Sequence, residues 1–124
     1  MKLLFTLLFM TLCILALNAQ IAEVKLDGNY AKIYNEKGQF TGNSVYIGNN
    51  SLEGYNNEYI VIKDGNYAKI YDSKGHFTGH SAYIGNNTIK HVSQSVILVK
   101  EGNYVKYYDF KGRFTGNSTY EPKQ

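Results

Sequence analysis

The chain has a single cysteine, Cys13, and it sits inside an apolar leader. Met1 and Lys2 give a short basic start. Leu3 to Leu17 then run apolar apart from Thr6 and Thr11, and Asn18-Ala19-Gln20 opens a polar chain. This order of segments is that of a secretory signal over residues 1–19, expected to be cut after Ala19, and its apolar run is short for a membrane span. The 105 residues that follow, 20–124, hold no cysteine. No disulfide therefore staples the domain, although an export route would permit one. Thr11-Leu12 before Cys13 and Ile14-Leu15 after it place that cysteine in the apolar core of the leader, which argues against lipidation. No second long apolar run follows, so no membrane span is expected in the mature chain.

Charge of one sign is equally scarce. Lys2 aside, twelve basic residues face ten acidic ones, and the two signs alternate without forming a block. That pattern argues against a nucleic-acid partner and against an electrostatically held membrane surface. No stretch of the mature chain shows helical periodicity with caps. No glycine-rich phosphate loop precedes a helix, and no Glu-x-x-His pair is present. A chain of this length makes one domain with a modest core, the kind that leans on association or regular packing for stability.

What the mature chain has is a repeat. Gly28, Gly65 and Gly102 stand 37 residues apart, as do Gly38, Gly75 and Gly112, and Gly42, Gly79 and Gly116. Tyr30, Lys32, Tyr34 and Phe40 recur in the same rhythm, and residues 27–50 and 64–87 agree at 19 of 24 positions. A period in this range means a tandem array of supersecondary units. The units are 20–50 with a truncated start, 51–87, and 88–124.

Within a unit the pattern is that of strands. Tyr59–Lys63 and Val96–Lys100 are short, β-branched and apolar on both faces, and such strands need cover from two sides. Asp27-Gly28, Asp64-Gly65 and Glu101-Gly102 follow the first strands and read as two-residue hairpin turns in which both central residues take positive φ. Tyr67–Tyr71 alternates, with Tyr67, Lys69 and Tyr71 on one face and Ala68 and Ile70 on the other. Asp72-Ser73-Lys74-Gly75, Asn35 to Gly38 and Asp109 to Gly112 fit a type I turn closed by a glycine bulge. An outer strand from Phe77 to Ile84 and a weaker one at Thr88–Val92 complete the unit. The fold class is all-β: three tandem 37-residue antiparallel β-meander units.

The sequence Val96 to Val99, Glu101-Gly102, Tyr104 to Tyr108, Asp109, Gly112 and Arg113-Phe114 resembles the short four-stranded β-propeller-like blades of bacterial exported proteins. No tryptophan-aspartate or kelch signature is present, so the resemblance implies an architecture and nothing about a ligand. Two complete units and a truncated one are too few for a propeller ring, which needs at least four blades. Three arrangements follow: a ring completed by a second chain, an open β-repeat stack, or a threefold closed form such as a β-prism or trefoil.

Candidates for chemistry are few. His76 and His80 lie four apart in the expected outer strand, their Cα atoms ~13 Å apart on strand spacing, and Gln39, Asn43, Arg113 and Asn117 replace them in the other units. Varying surface histidines of this kind do not make a metal site. Asp72 and Asp109 recur, but Asn35 takes their place in the first unit, and asparagine can hold a turn without serving as acid or base. Ser44, Ser81 and Ser118 have no recurrent histidine to activate them. We therefore expect no enzyme, no metal and no cofactor.

All twelve tyrosines lie beyond the leader. Tyr34, Tyr71 and Tyr108, which share a strand face with Lys32, Lys69 and Lys106, pack between sheets or line a binding surface together with Asn49, Asn50, Asn86 and Asn87 at loop tips. Tyrosine and asparagine suit such surfaces, because a stiff ring gives contact area at low entropic cost and an amide matches hydroxyls. The expected function is an exported, non-enzymatic binding or interaction module for a glycan or protein. The alternative is a structural, self-assembling, envelope-associated protein. The expected location is secreted, periplasmic or cell-envelope. A homo-oligomer is expected from an exposed edge on the strand near residues 22–26 and from an uncovered face on the last unit, although Glu23, Lys25 and Tyr107 stand where capping residues would.

Overall fold

β-Branched and aromatic residues, broken every few positions by glycine turns, leave this chain little besides short antiparallel strands. The computed structural model describes residues 20–123, and the expected signal over 1–19 lies outside the described residues. Eleven strands form: β1 (Glu23–Asp27), β2 (Tyr30–Tyr34), β3 (Phe40–Tyr46), β4 (Ser51–Tyr55), β5 (Ile60–Asp64), β6 (Tyr67–Tyr71), β7 (Phe77–Tyr83), β8 (Thr88–Val92), β9 (Ile97–Glu101), β10 (Tyr104–Tyr108) and β11 (Phe114–Tyr120). They make three separate meander sheets, β1-β2-β3, β4-β5-β6-β7 and β8-β9-β10-β11, which do not close into a barrel. Barrel closure of the trefoil type is thus not what the chain adopts. Among the described residues no helix is long and apolar enough to cross a membrane.

The sheets stack face to face in chain order. Ala31, Ile33 and Val45 of the first sheet meet Ile60 and Ile62 of the second, with Leu52, Tyr55 and Tyr71 packed at the margin. The opposite face of the second sheet, carrying Val61, Ala68, Ile70 and Ala82, meets Ile97 and Val99 of the third. β5 is therefore the two-sided strand its sequence demands: Ile60, Val61 and Ile62 are all buried to 1 % exposure or less. Each such side chain contributes about 1.5–3 kcal/mol by leaving water.

The interfaces are locked at their ends by backbone. The Asp-x-Lys-Gly turn of each later unit lies on the outer strand of the unit before it. A Cβ on Gly75 would overlap the Ser44 carbonyl, and one on Gly112 would overlap that of Ser81, while Gly38, with no preceding unit, has open space. At the inner edge β4 and β8 nearly touch, since a Cβ on Gly54 would come within 2.7 Å of Val92. Buried Asn56 bridges the same two units. Its Nδ2 donates to the carbonyls of Ser93 (3.0 Å) and Gln94 (3.3 Å), while its Oδ1 accepts from the backbone N–H of Glu58 and Tyr59.

Two local expectations need correction. The hairpin register pairs Asp64 with Tyr67, and likewise Asp27 with Tyr30 and Glu101 with Tyr104. The two-residue loops are thus Gly28-Asn29, Gly65-Asn66 and Gly102-Asn103, with the acidic residue still in the strand. Only the glycines, at φ 60 to 61°, have positive φ. That is the chemistry of a type II′ turn, with glycine first, instead of type I′. His76 precedes β7 instead of lying in it, because the turn it follows runs one residue further: the Asp72 N–H donates to the His76 carbonyl. The Asp72, Asp109 and Asn35 turns form as expected, each side-chain Oδ1 accepting two backbone N–H groups two and four residues on.

Both ends of the stack are polar. On the first sheet Glu23 and Lys25, 3.9 Å apart, occupy the face where β5 carries Ile60 and Ile62. On the last sheet Tyr107 replaces Ile33 and Ile70, Thr119 replaces Val45 and Ala82, and Glu121 replaces Ile47 and Ile84. The Tyr107 hydroxyl and Thr119 Oγ1 are hydrogen-bonded at 2.9 Å. Lys90 pairs with the Glu121 carboxylate and Lys100 donates to its backbone carbonyl. Beneath this lid Val105 is buried. The β1 edge is different: no strand pairs with it among the described residues.

Candidate functional site

Period-two alternation places Tyr30, Lys32 and Tyr34 on one face of β2, and the same holds for β6 and β10. The outer strand answers each of them. Tyr30, Tyr67 and Tyr104 lie directly across from Tyr46, Tyr83 and Tyr120, and Tyr34, Tyr71 and Tyr108 across from Phe40, Phe77 and Phe114. The tyrosine pairs meet edge to face with centroids 5.3, 5.4 and 5.5 Å apart. The Tyr–Phe pairs are tilted at 5.8, 5.6 and 5.7 Å. Cross-strand aromatic pairs of this kind hold register as well as area.

Between the two pairs runs a fixed cation. Lys32, Lys69 and Lys106 reach Asp27, Asp64 and Glu101 at 2.6, 2.7 and 2.9 Å. The same ammonium groups lie 5.3, 5.7 and 5.5 Å over the rings of Phe40, Phe77 and Phe114. A hydrogen bond to the facing carboxylate, aided by its charge, raises each lysine above its ordinary pKa. The acidic residue before each hairpin glycine thus holds a lysine in addition to ending a strand.

Exposure separates the aromatics into two classes. Tyr34, Tyr71 and Tyr108 are half-buried; Tyr71 and Tyr108 pack against the two cores, and Lys25 lies over the Tyr34 ring. The outer-strand tyrosines stand clear, with Tyr46, Tyr83 and Tyr120 at 63, 63 and 61 % exposure. Asn49 and Asn86 are exposed at the tips of the connections between units, whereas Asn50 and Asn87 turn their backbone N–H onto Ile47 and Ile84. Gly48 and Gly85 lie beneath the rings of Tyr46 and Tyr83, so each Asn tip adjoins an outer tyrosine. The result is a ladder of exposed aromatic pairs repeated three times, flanked in the first two units by amides.

A feature that sequence reading missed lies between the second and third units. Tyr59 and Phe110 stack at 5.0 Å and 15°. They line a groove of about 500 Å³ with His80, Asp109, Lys111 and Arg113. The signal was a departure from the repeat: Phe110 occupies a turn position held by Glu36 and Ser73 in the other units. Comparison of the chain with protein-family models, curated proteins and solved structures finds no match.

Proposed function

We propose that the protein is an exported, non-catalytic binding module that presents its aromatic ladder to a glycan or a protein partner. The observation carrying this reading is the threefold repetition of Tyr46, Tyr83 and Tyr120, exposed at 61 to 63 % with a second ring against each. Core packing does not require nine aromatic side chains (Tyr30, Phe40, Tyr46 and their equivalents) to stand in solvent, and an array of that size marks an interaction surface. The acidic candidates support a non-catalytic role, since Asn35, Asp72 and Asp109 spend the same oxygen on turn amides. The blade resemblance stays part of the proposal. It is supported by inner strands that nearly touch and outer strands that carry the exposed rings.

The test is a screen of the purified protein against glycans and envelope proteins, run beside a Tyr46→Ala/Tyr83→Ala/Tyr120→Ala variant. Retention of every ligand by the variant with undiminished affinity would sink the ladder as the binding surface. Export itself is tested by intact mass, with loss of residues 1–19 expected and retention of Met1 opposing it.

A second reading, self-assembly, is favoured by the unpaired edge of β1. In an antiparallel pair of two β1 strands centred on Val24, Glu23 of each copy would face Lys25 of the other, a complementary cross-strand match.

A further inference from the structure

The groove between the second and third units differs from the ladder in its chemistry. Its base is a pair of stacked rings, Tyr59 and Phe110, each half-buried against the core. Its margin carries Lys111 and Arg113 and one imidazole, His80, against a single carboxylate, Asp109. That carboxylate is already engaged: Oδ1 accepts the backbone N–H groups of Lys111 and Arg113, and Oδ2 accepts Arg113 Nε at 3.2 Å. Desolvation raises the Asp109 pKa, but those amides and the guanidinium outweigh it and hold the group below its ordinary value. The Arg113 charge is paired with Asp109 through Nε, but among the described residues its terminal nitrogens make no hydrogen bond and the Lys111 ammonium makes neither an ion pair nor a hydrogen bond. The groove therefore offers an aromatic base and unspent positive charge.

The equivalent place between the first and second units lacks these groups. Ala22, Asn43 and Ser73 stand where Tyr59, His80 and Phe110 stand, and His76 replaces Arg113, while Lys74 and Asp72 repeat Lys111 and Asp109. The difference is confined to one junction in a chain that otherwise copies itself closely, so the repeat scaffold does not require it.

Resting on the binding-module reading above, we infer that this groove binds a carboxylate-bearing sugar, a uronate unit of an acidic glycan. An aromatic ring takes the apolar face of a pyranose, and a planar guanidinium offers two parallel N–H donors to a carboxylate. A volume of about 500 Å³ lies within the usual range for small-ligand sites, about 300–1,000 Å³.

The experiment is calorimetric titration of the full protein with a galacturonic acid trisaccharide and with the neutral galactose trisaccharide. The acidic sugar is expected to bind at least ~10-fold more tightly, the order expected of a charge-assisted contact. Arg113→Gln and Phe110→Ala should each weaken it by a similar factor, and Lys74→Gln, at the junction lacking the aromatic pair, should leave it unchanged. Thermal melts of each variant confirm that the fold persists, and Lys111→Gln, which removes no ion pair or hydrogen bond among the described residues, should weaken the acidic sugar in the same direction without loss of stability. Equal affinity for both sugars, or equal weakening by Lys74→Gln, would overturn the acidic-sugar assignment while leaving glycan binding in place. Binding of neither sugar overturns the assignment as well. Failure of every glycan and protein in the wider screen would remove the module reading with it.

Discussion

Gly75 rests on the backbone carbonyl of Ser44, and the contact recurs one unit later between Gly112 and Ser81. Gly38 holds the same turn conformation, with φ 74° against 81° and 80°, but a Cβ there would meet nothing within 4 Å. The three glycines thus separate two demands that usually coincide, a left-handed backbone and a close approach.

Gly38→Ala should cost only the conformational strain of positive φ, on the order of 1 kcal/mol. Gly75→Ala and Gly112→Ala add a collision with backbone, which cannot move aside as a side chain can, and should cost about 1–3 kcal/mol more. Urea denaturation of the three variants checks this. Equal losses at all three positions would mean that the turn contacts do not hold the sheets together.

Gly65 makes a separate case, since a Cβ there meets nothing within 4 Å but φ is +60°. Gly65→Val is expected to lose about 1–3 kcal/mol through backbone strain alone. His76→Ala, on an exposed side chain, should change stability by less than about 0.5 kcal/mol. A larger loss from the histidine change, copied by a chelator, would point to a metal role.

Asn56 connects the second and third units by donating to two carbonyls while accepting two amides. Asn56→Asp preserves the acceptor that shapes the loop but turns a carboxylate oxygen toward the carbonyls of Ser93 and Gln94. It should destabilise by about 1–3 kcal/mol near neutral pH, the penalty for an unsatisfied buried partner. The loss should ease when the new carboxyl is protonated. A thermal-melt series in pH is the measurement, and a loss unchanged by acid would contradict the account.

The pH profile follows from two kinds of ion pair. Glu121 is held below its ordinary pKa, first by the hydrogen bond from Lys90, and Asp109 is lowered by its turn amides and Arg113. Such carboxylates stabilise the fold above their unfolded pKa, near 4, and that contribution is lost as pH falls through the lower folded value. Lys32, Lys69 and Lys106 are raised, so their contribution is complete below the ordinary lysine pKa and lost as pH climbs through the folded value. Melting temperature should therefore fall on both sides of a broad neutral plateau. Glu121→Gln should lower the plateau and flatten part of the acid limb; an acid limb identical to that of the parent would exclude the Lys90 pairing.

Self-assembly through β1 predicts a mass that rises with concentration in light scattering, suppressed by Val24→Pro, which removes an edge N–H and places a ring on the strand. A single-chain mass across a tenfold dilution series would leave the stack as a monomer. The polar ends make face-to-face stacking of copies a poor alternative.

The repeat made the strands legible because glycine and tyrosine recur with strict spacing, and the two-sided apolar pattern at Ile60–Ile62 announced a sheet covered on both faces. The turn type was misread because Asp64 looks like a loop residue by composition, whereas it pairs with Tyr67 and holds Lys69. Which tyrosines are exposed was not legible. Tyr71 and Tyr83 follow the same alternation, yet one lies at the core margin and the other in solvent. The Tyr59–Phe110 stack joins residues 51 positions apart across a unit boundary, beyond anything a local pattern encodes.

The middle unit alone carries both complementary surfaces, a β5 face that receives a sheet and a β6 face that is received by one. It is therefore the part of the molecule that can be duplicated. A second copy of residues 51–87 placed directly after the first would meet familiar partners on each side, while the polar first and last sheets stayed at the ends. Length would then be an adjustable property of the protein, with each insertion lengthening the aromatic ladder by one rung. The single charged groove would stay where Phe110 is. A duplicated chain that melts at or above the parent temperature would show this growth rule at work; one that fails to fold would mean that the two junctions are not interchangeable.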